Sequence, residues 1–416
     1  MDRPDAIAPP PTQFHLRPGI IDLGWGHPNP DLLPVEGIRA AAASALDRYG
    51  PDALTYGDSA GPGPLIGWIC DRLAEVDARA PRPGEVVVSA GTSHAIDQLA
   101  TLLTEPGEVV LVESPTYHLA VRILRDHPLD LVAIPFDGGG LRVDAVADTL
   151  ARLRQAGRRA RLLYTVPTFH NPTGISLAPE RRGALVELAA AEGLLVVEDD
   201  AYRELSYDGP PPPSLWSEAR PGTVVRLGSF AKSLAPGLRV GFMTADEATV
   251  ARIVESGVLD SGGGISHFSS LVVAEFARSG AYAANVERLR VAYREQRDAL
   301  LGALAEHAPA GTSWTSPSGG YFTWVTLPPG RDAHALLADV ETQGASYLAG
   351  PTFHLDHAGG ERSFRLSFSR YPATELSEAI RRLGRGLSAR AGGLSATAAR
   401  RGARRRGVAP RRIGGA

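Results

Sequence analysis

Seven short runs that are apolar at consecutive positions recur between residues 85 and 244: EVVVSA (85–90), EVVLVE (108–113), LDLVAIPF (129–136), RLLYTV (161–166), GLLVVED (193–199), TVVRLG (223–228) and RVGFMT (239–244). Stretches with a helical period separate most of them, such as PERRGALVELAAAEG (179–193). A strand that is apolar on both sides needs cover on both faces. Helices in the connections supply that cover, and such crossovers make neighbouring strands parallel. The pattern therefore predicts an α/β fold: a mostly parallel sheet with helices on both faces. From about Gly280 the pattern changes. A long helical stretch leads into GGYFTWVTLP and then SFRLSFS, which predicts a smaller α+β domain. The expected division is a flexible arm over 1–18, a segment over 19–50 packing with the small domain, a large domain over 51–280, the small domain over 281–387, and a tail over 388–416. That tail is rich in Ala, Gly and Arg, with no acid and no aromatic residue. It has too little apolar surface to fold by itself, so a solvated, disordered tail is expected.

Charge excludes little-used alternatives. Lys plus Arg number 43 against 46 Asp plus Glu, a net −3. Nothing in that balance points to a specific nucleic-acid partner or to a membrane. No run approaches the ~18 apolar residues of a membrane helix. The opening MDRPDAIAPPPTQFHL lacks a signal-peptide core, and the single Cys70 fits a reducing compartment, so a cytoplasmic location is expected. Of the 43 basic residues only Lys232 is lysine, which leaves 42 arginines. Arginine can replace lysine as a charge but not as a nucleophile, so the retained lysine points to chemistry.

Polar residues cluster just after the strand runs, where open α/β sheets bind ligands. GTSHAID begins a helix after 85–90, and free N–H groups at a helix start suit a phosphate. Tyr117 follows 108–113, and Asn171 follows 161–166 within PTFHNPTG. Asp199 ends its run, with Tyr202 three residues on; Ser229, Lys232 and Arg239 follow 223–228. His94, His170 and His267 lie near these motifs, but their spacing shows no metal site.

PTFHNPTG, VVEDDAYREL and GSFAKSLAPGLRVGF resemble, in order and spacing, the signatures of class I/II aminotransferases, the fold-type I pyridoxal-phosphate enzymes. The resemblance is to the 2-aminoadipate and kynurenine aminotransferase branch and spans roughly Ile20 to Leu387. It implies pyridoxal 5′-phosphate as cofactor and Lys232 as its covalent attachment point. Asp199 then faces the pyridine nitrogen, Tyr202 and Asn171 bond the phenolic oxygen, and Tyr117 stacks on the ring. Thr92, Ser93, Ser229 and Arg239 hold the phosphate. Arg365 takes the substrate α-carboxylate, with Asn171 and Gly26 also at the substrate. Tyr56 matches a tyrosine that reaches the phosphate of a neighbouring subunit, which implies a homodimer with shared active sites. The implied reaction is ping-pong transfer of an amino group between an α-amino acid and a 2-oxo acid.

Three features depart from the family pattern: Trp25 and His27 in DLGWGHPNPDLLP, and the glycine run at 262–264. The run permits backbone to approach a ligand or subunit closely, or is a flexible loop. These features keep open another reaction with the same cofactor, in specialised-metabolite biosynthesis: β- or γ-elimination or replacement, C–C bond formation, or chemistry on S-adenosylmethionine. A transcription regulator with an aminotransferase-like sensor is not expected, since a resemblance starting near residue 20 leaves no room for a DNA-binding domain.

Overall fold

The structure, a computed structural model, describes residues 17–404, with side chains over 17–388. Each predicted apolar run overlaps one strand of an eight-stranded sheet, to within one or two residues at the ends: β1 (Val86–Ser89), β2 (Val109–Ser114), β3 (Asp130–Asp137), β5 (Ala160–Thr165), β6 (Leu195–Asp199), β7 (Val224–Ser229) and β8 (Gly241–Thr244). The eighth strand, β4 (Gly140–Leu141), turns straight back on β3 and is too short to show a period. The order is β1-β8-β7-β6-β5-β2-β3-β4. Only β4 and β8 oppose the common direction.

Both faces of the sheet are buried, as the apolar runs require. Val110, Val112, Leu162, Tyr164, Val197 and Val225 face a core shared with the helix Thr92–Leu103. Their strand neighbours Val109, Leu111, Leu163, Val196 and Val224 face a second core with the helices Val143–Gln155 and Pro179–Glu192. Each such aliphatic side chain contributes about 1.5–3 kcal/mol on burial.

A second, antiparallel sheet holds β9 (Ser313–Trp314), β10 (Phe322–Thr326), β11 (Leu348–Ala349) and β12 (Ser363–Ser367) in the order β9-β10-β12-β11. Leu289, Leu300 and Leu304 of the helix Ala281–His307, with Leu376, Ile380 and Leu383 of the last helix, pack into the core beside it.

The segment 19–50 does not pack with this part alone. Ile21–Asp22 pairs in parallel with Ala345–Ser346. The helix Val35–Tyr49 instead buries Ala41 and Ala45 in a core with Leu271 and Phe276 of the helix His267–Arg278. Its Gly37 continues that small-residue stripe: a Cβ there would lie 2.7 Å from the Phe276 ring. The last helix runs from Ala373 to Arg404, so the backbone of 388–404 is helical where an unfolded tail was expected. Ala and Arg are strong helix formers, and a helix continued from a packed stem needs no new nucleus. Residues 1–16 of the expected arm and 405–416 of the expected tail lie outside the described residues. Among the described residues, no helix is long and apolar enough to cross a membrane.

Candidate active site

β1, β2, β5, β6 and β7 run the same way, so their carboxyl ends share one edge of the sheet. That edge gathers the helix start at Thr92 and Ser93, then Tyr117, Asn171, Asp199, Ser229 and Lys232. Arg365 arrives from the other sheet, in the middle of β12 opposite Trp324.

Lys232 lies in the connection between the adjacent antiparallel strands β7 and β8. Its Nζ donates to the Gly26 carbonyl at 3.3 Å and sits 5.6 and 5.9 Å from the ring centroids of Tyr321 and Tyr202. Tyr321 in turn donates its hydroxyl to the Lys232 carbonyl at 3.1 Å. Burial pushes the ammonium down to about 8; Asp199 opposes that shift, while Arg365 and Arg239 add to it. The amine is thus uncharged far more often near neutrality than a solvated lysine.

The two adjacent acids divide their work. Asp200 is buried and pairs with Arg226 (2.8 Å) and with Arg203; Arg226 continues to Asp77 at 3.1 Å. These fixed charges close a structural network on the far side of the strand end. Asp199 points the other way. Its Oδ2 accepts from the Tyr164 hydroxyl at 2.8 Å, and its Oδ1 is buried with no hydrogen-bond partner. Burial pushes this carboxyl up to about 6, while the Tyr164 hydrogen bond works against the rise. An unpartnered buried oxygen on an acid poised this way fits a protonated ring nitrogen, which would restore the missing bond.

A cradle for an anion lies beside it. Gly91, at φ +86°, caps the twelve-residue helix Thr92–Leu103, and a Cβ there would press on Arg239 Nη2 at 3.0 Å. Arg239 donates to the Ala90 carbonyl at 2.8 Å. Gly241 lies against Gly91 and the Gly228 carbonyl, one residue before Ser229. The helix start, the Arg239 guanidinium and the strand end at Ser229, which pairs with Gly241, are thus brought together around two glycines, a setting whose N–H groups suit an anion.

Arg365 is buried and donates to Asn171 Oδ1 and to the Gly24 carbonyl, both at 2.7 Å, while its Nε has no partner. Phe322 and Phe353 flank the guanidinium at 4.1 and 4.9 Å from their centroids. Burial lowers its pKa to about 10, so it stays charged at pH 7. Gly26 is required: a Cβ there would come within 2.9 Å of Phe322. Burial pushes the Tyr202 phenol up, and that of Tyr117 to about 12, so both rings remain neutral donors.

Tyr56 stands apart, 80% exposed, so none of the described residues encloses it. The glycine run resolves as close packing within the chain. A Cβ on Gly263 would lie 2.6 Å from the Gly57 carbonyl, and one on Gly264 would lie 2.2 Å from the Asp58 carbonyl. His170 is buried, stacked on Phe136 and bonded to Thr173 Oγ1 at 2.8 Å. Among the described residues no cluster could hold a metal ion. The sequence reading missed Tyr164, Tyr321, Phe322 and Phe353. Tyr164 alone carried a signal, a hydroxyl inside an otherwise apolar strand run.

The model of the family described as aminotransferase class I and II matches residues 18–383. The chain belongs to this family. The aminotransferase is 34% identical over 378 residues to the 2-aminoadipate transaminase of Thermus thermophilus, covering 89% of this chain and 91% of that protein. It is 32% identical over 367 residues to aromatic-amino-acid aminotransferase 1 of Thermococcus litoralis, covering 88% and 87%. Among solved structures it resembles a kynurenine aminotransferase of Pyrococcus horikoshii in complex with PMP. The TM-score is 0.84 at 32% identity, covering 89% of this chain and 91% of that one. The aminotransferase uses pyridoxal phosphate and transfers amino groups between small amino and 2-oxo acids. That decides between the transamination and the other cofactor chemistries left open by the sequence.

Proposed function

We propose that the gathered residues divide this amino-group transfer as follows. The carrying observation is the unpartnered Oδ1 of Asp199 on the same strand-end edge as a lysine whose pKa is lowered. Asp199 holds the pyridine nitrogen of the cofactor protonated, and Tyr202 and Asn171 hold its phenolic oxygen. Tyr117 stacks on its ring, and Thr92, Ser93, Ser229 and Arg239 hold its phosphate. When bound, pyridoxal phosphate anchors to Lys232 and supplies the electron sink for charge that develops at the substrate Cα. Arg365 and Asn171 fix the substrate α-carboxylate, so the Cα–H faces Lys232. Lys232 Nζ, partly uncharged at neutral pH, then takes that proton. Gly26 leaves room for the substrate backbone over Phe322.

A second copy of the chain completes each site in this reading. Tyr56 (80% exposed) shares its outward position with Leu54 (70%) and Val258 (67%), apolar surface suited to burial in a homodimer. The lone Cys70 supports a cytoplasmic setting.

The test uses the holoenzyme with one amino donor, 2-aminoadipate or phenylalanine, and no acceptor. The expected result is a single equivalent of 2-oxo acid per site, then arrest until a 2-oxo acid is added. Continuing release of ammonia without acceptor would contradict transfer and favour elimination.

A further inference from the structure

The mouth of the site holds residues that the amino-group transfer leaves unused. The loop Gly24–His27 lies across it: Gly24 accepts from Arg365, and Gly26 accepts from Lys232. Between and beyond those anchors stand Trp25, nearly buried, and His27, half-buried; their rings meet edge-on at 5.1 Å. The His27 carbonyl accepts from Ser369 Oγ at 2.7 Å. The next residue, Arg370, brings its guanidinium to 5.6 Å from the Trp25 centroid and 5.9 Å from that of Tyr371. Among the described residues Arg370 has no ion-pair partner. Other half-buried arginines are held either by an acid, as Arg72 by Glu204 and Arg17 by Asp22 and Glu341, or by a backbone carbonyl, as Arg161 by Leu103 and Arg331 by Leu387. Burial, aided by the charges of Lys232 and Arg370, pushes His27 down to about 4. Its ring therefore lines the mouth uncharged at pH 7, and Arg370 supplies the positive charge there.

We propose that Arg370, braced on Trp25 beside His27, is a specificity residue that receives the distal carboxylate of an acidic amino or 2-oxo acid. The assignment rests on the reading above, in which Arg365 takes the α-carboxylate. Two arginines without carboxylate partners among the described residues then meet one short loop, Arg365 at the Gly24 carbonyl and Arg370 over the Trp25 ring. The carbonyl that Arg365 holds and the ring that Arg370 covers belong to adjacent residues, whose Cα atoms lie about 3.8 Å apart. A five- or six-carbon diacid held by Arg365 at one end then turns its other carboxylate toward Arg370. The guanidinium fork suits a carboxylate, and the indole behind it fixes its plane. An arginine that merely shields Trp25 would make no such distinction between ligands.

The test is calorimetric titration of the holoenzyme with two non-reacting probes, glutarate and 3-phenylpropanoate. Wild type binds glutarate more tightly. Arg370→Gln weakens glutarate binding by about tenfold or more and leaves 3-phenylpropanoate within about twofold, while Arg370→Lys falls between. Equal binding of the two probes by wild type, or equal weakening of both in Arg370→Gln, overturns the proposal. Neither probe reacts, so this outcome is read separately from oxo-acid release, on which the transfer reading stands or falls.

Discussion

Replacing Lys232 with alanine is expected to lower turnover by at least about 10³-fold, because one change removes both the anchor of the cofactor and the group that moves the Cα proton. Lys232→Arg is expected to do no better. A guanidinium keeps the charge but cannot lose its proton to act as base. The apo protein should tolerate the change, since the amine spans the site without an ion-pair role. The pH dependence has a definite sign. The folded-state pKa near 8 lies below the ordinary 10.5, so between those values the unfolded chain binds more protons. This one group therefore makes apo wild type more stable as pH rises through that window, and Lys232→Ala should lack that rise. Denaturant titrations of both proteins at pH 7.5 and 10.5 would read the difference.

Asp199→Asn is expected to cut turnover by about 10²–10³-fold, because a neutral amide cannot hold the ring nitrogen in its protonated form. The apo protein should lose no stability, since the change removes a buried carboxyl that has one oxygen unpartnered. Asp200→Asn should show the reverse. It leaves two buried arginines, Arg226 and Arg203, with Asp77 as their one remaining acid in this network, a cost of up to about 3–5 kcal/mol in unfolding experiments. Steady-state rates per folded molecule, set beside denaturation midpoints, separate the two neighbours. If the two variants lost activity and stability in parallel, the division of roles at this strand end would be wrong.

How far the sequence reveals this site depends on the residue. The strand runs and the residues that follow them are legible because a buried parallel sheet demands consecutive apolar positions and places its polar loops at one edge. Asp199 and Lys232 stand at such ends, and Gly26 announces a close approach that Phe322 explains. Tyr321 and Phe353 are not legible, since their positions depend on how the antiparallel sheet meets the larger one. The same holds for Arg370. In the sequence it is one arginine of 42, and its proposed role comes from its place over Trp25 and the lack of an acidic partner among the described residues. The split path of 19–50 was hidden too, because the apposition of Gly37 and Phe276 is a tertiary contact with no local period.

The most direct measurement of the central claim is reduction of the holoenzyme with borohydride, followed by peptide mass mapping. With a single lysine in the chain, the account predicts one phosphopyridoxyl group per protomer, all of it on the peptide carrying Lys232. A reduced protein with that peptide unmodified, or with the label on the N-terminal amine instead, would contradict it.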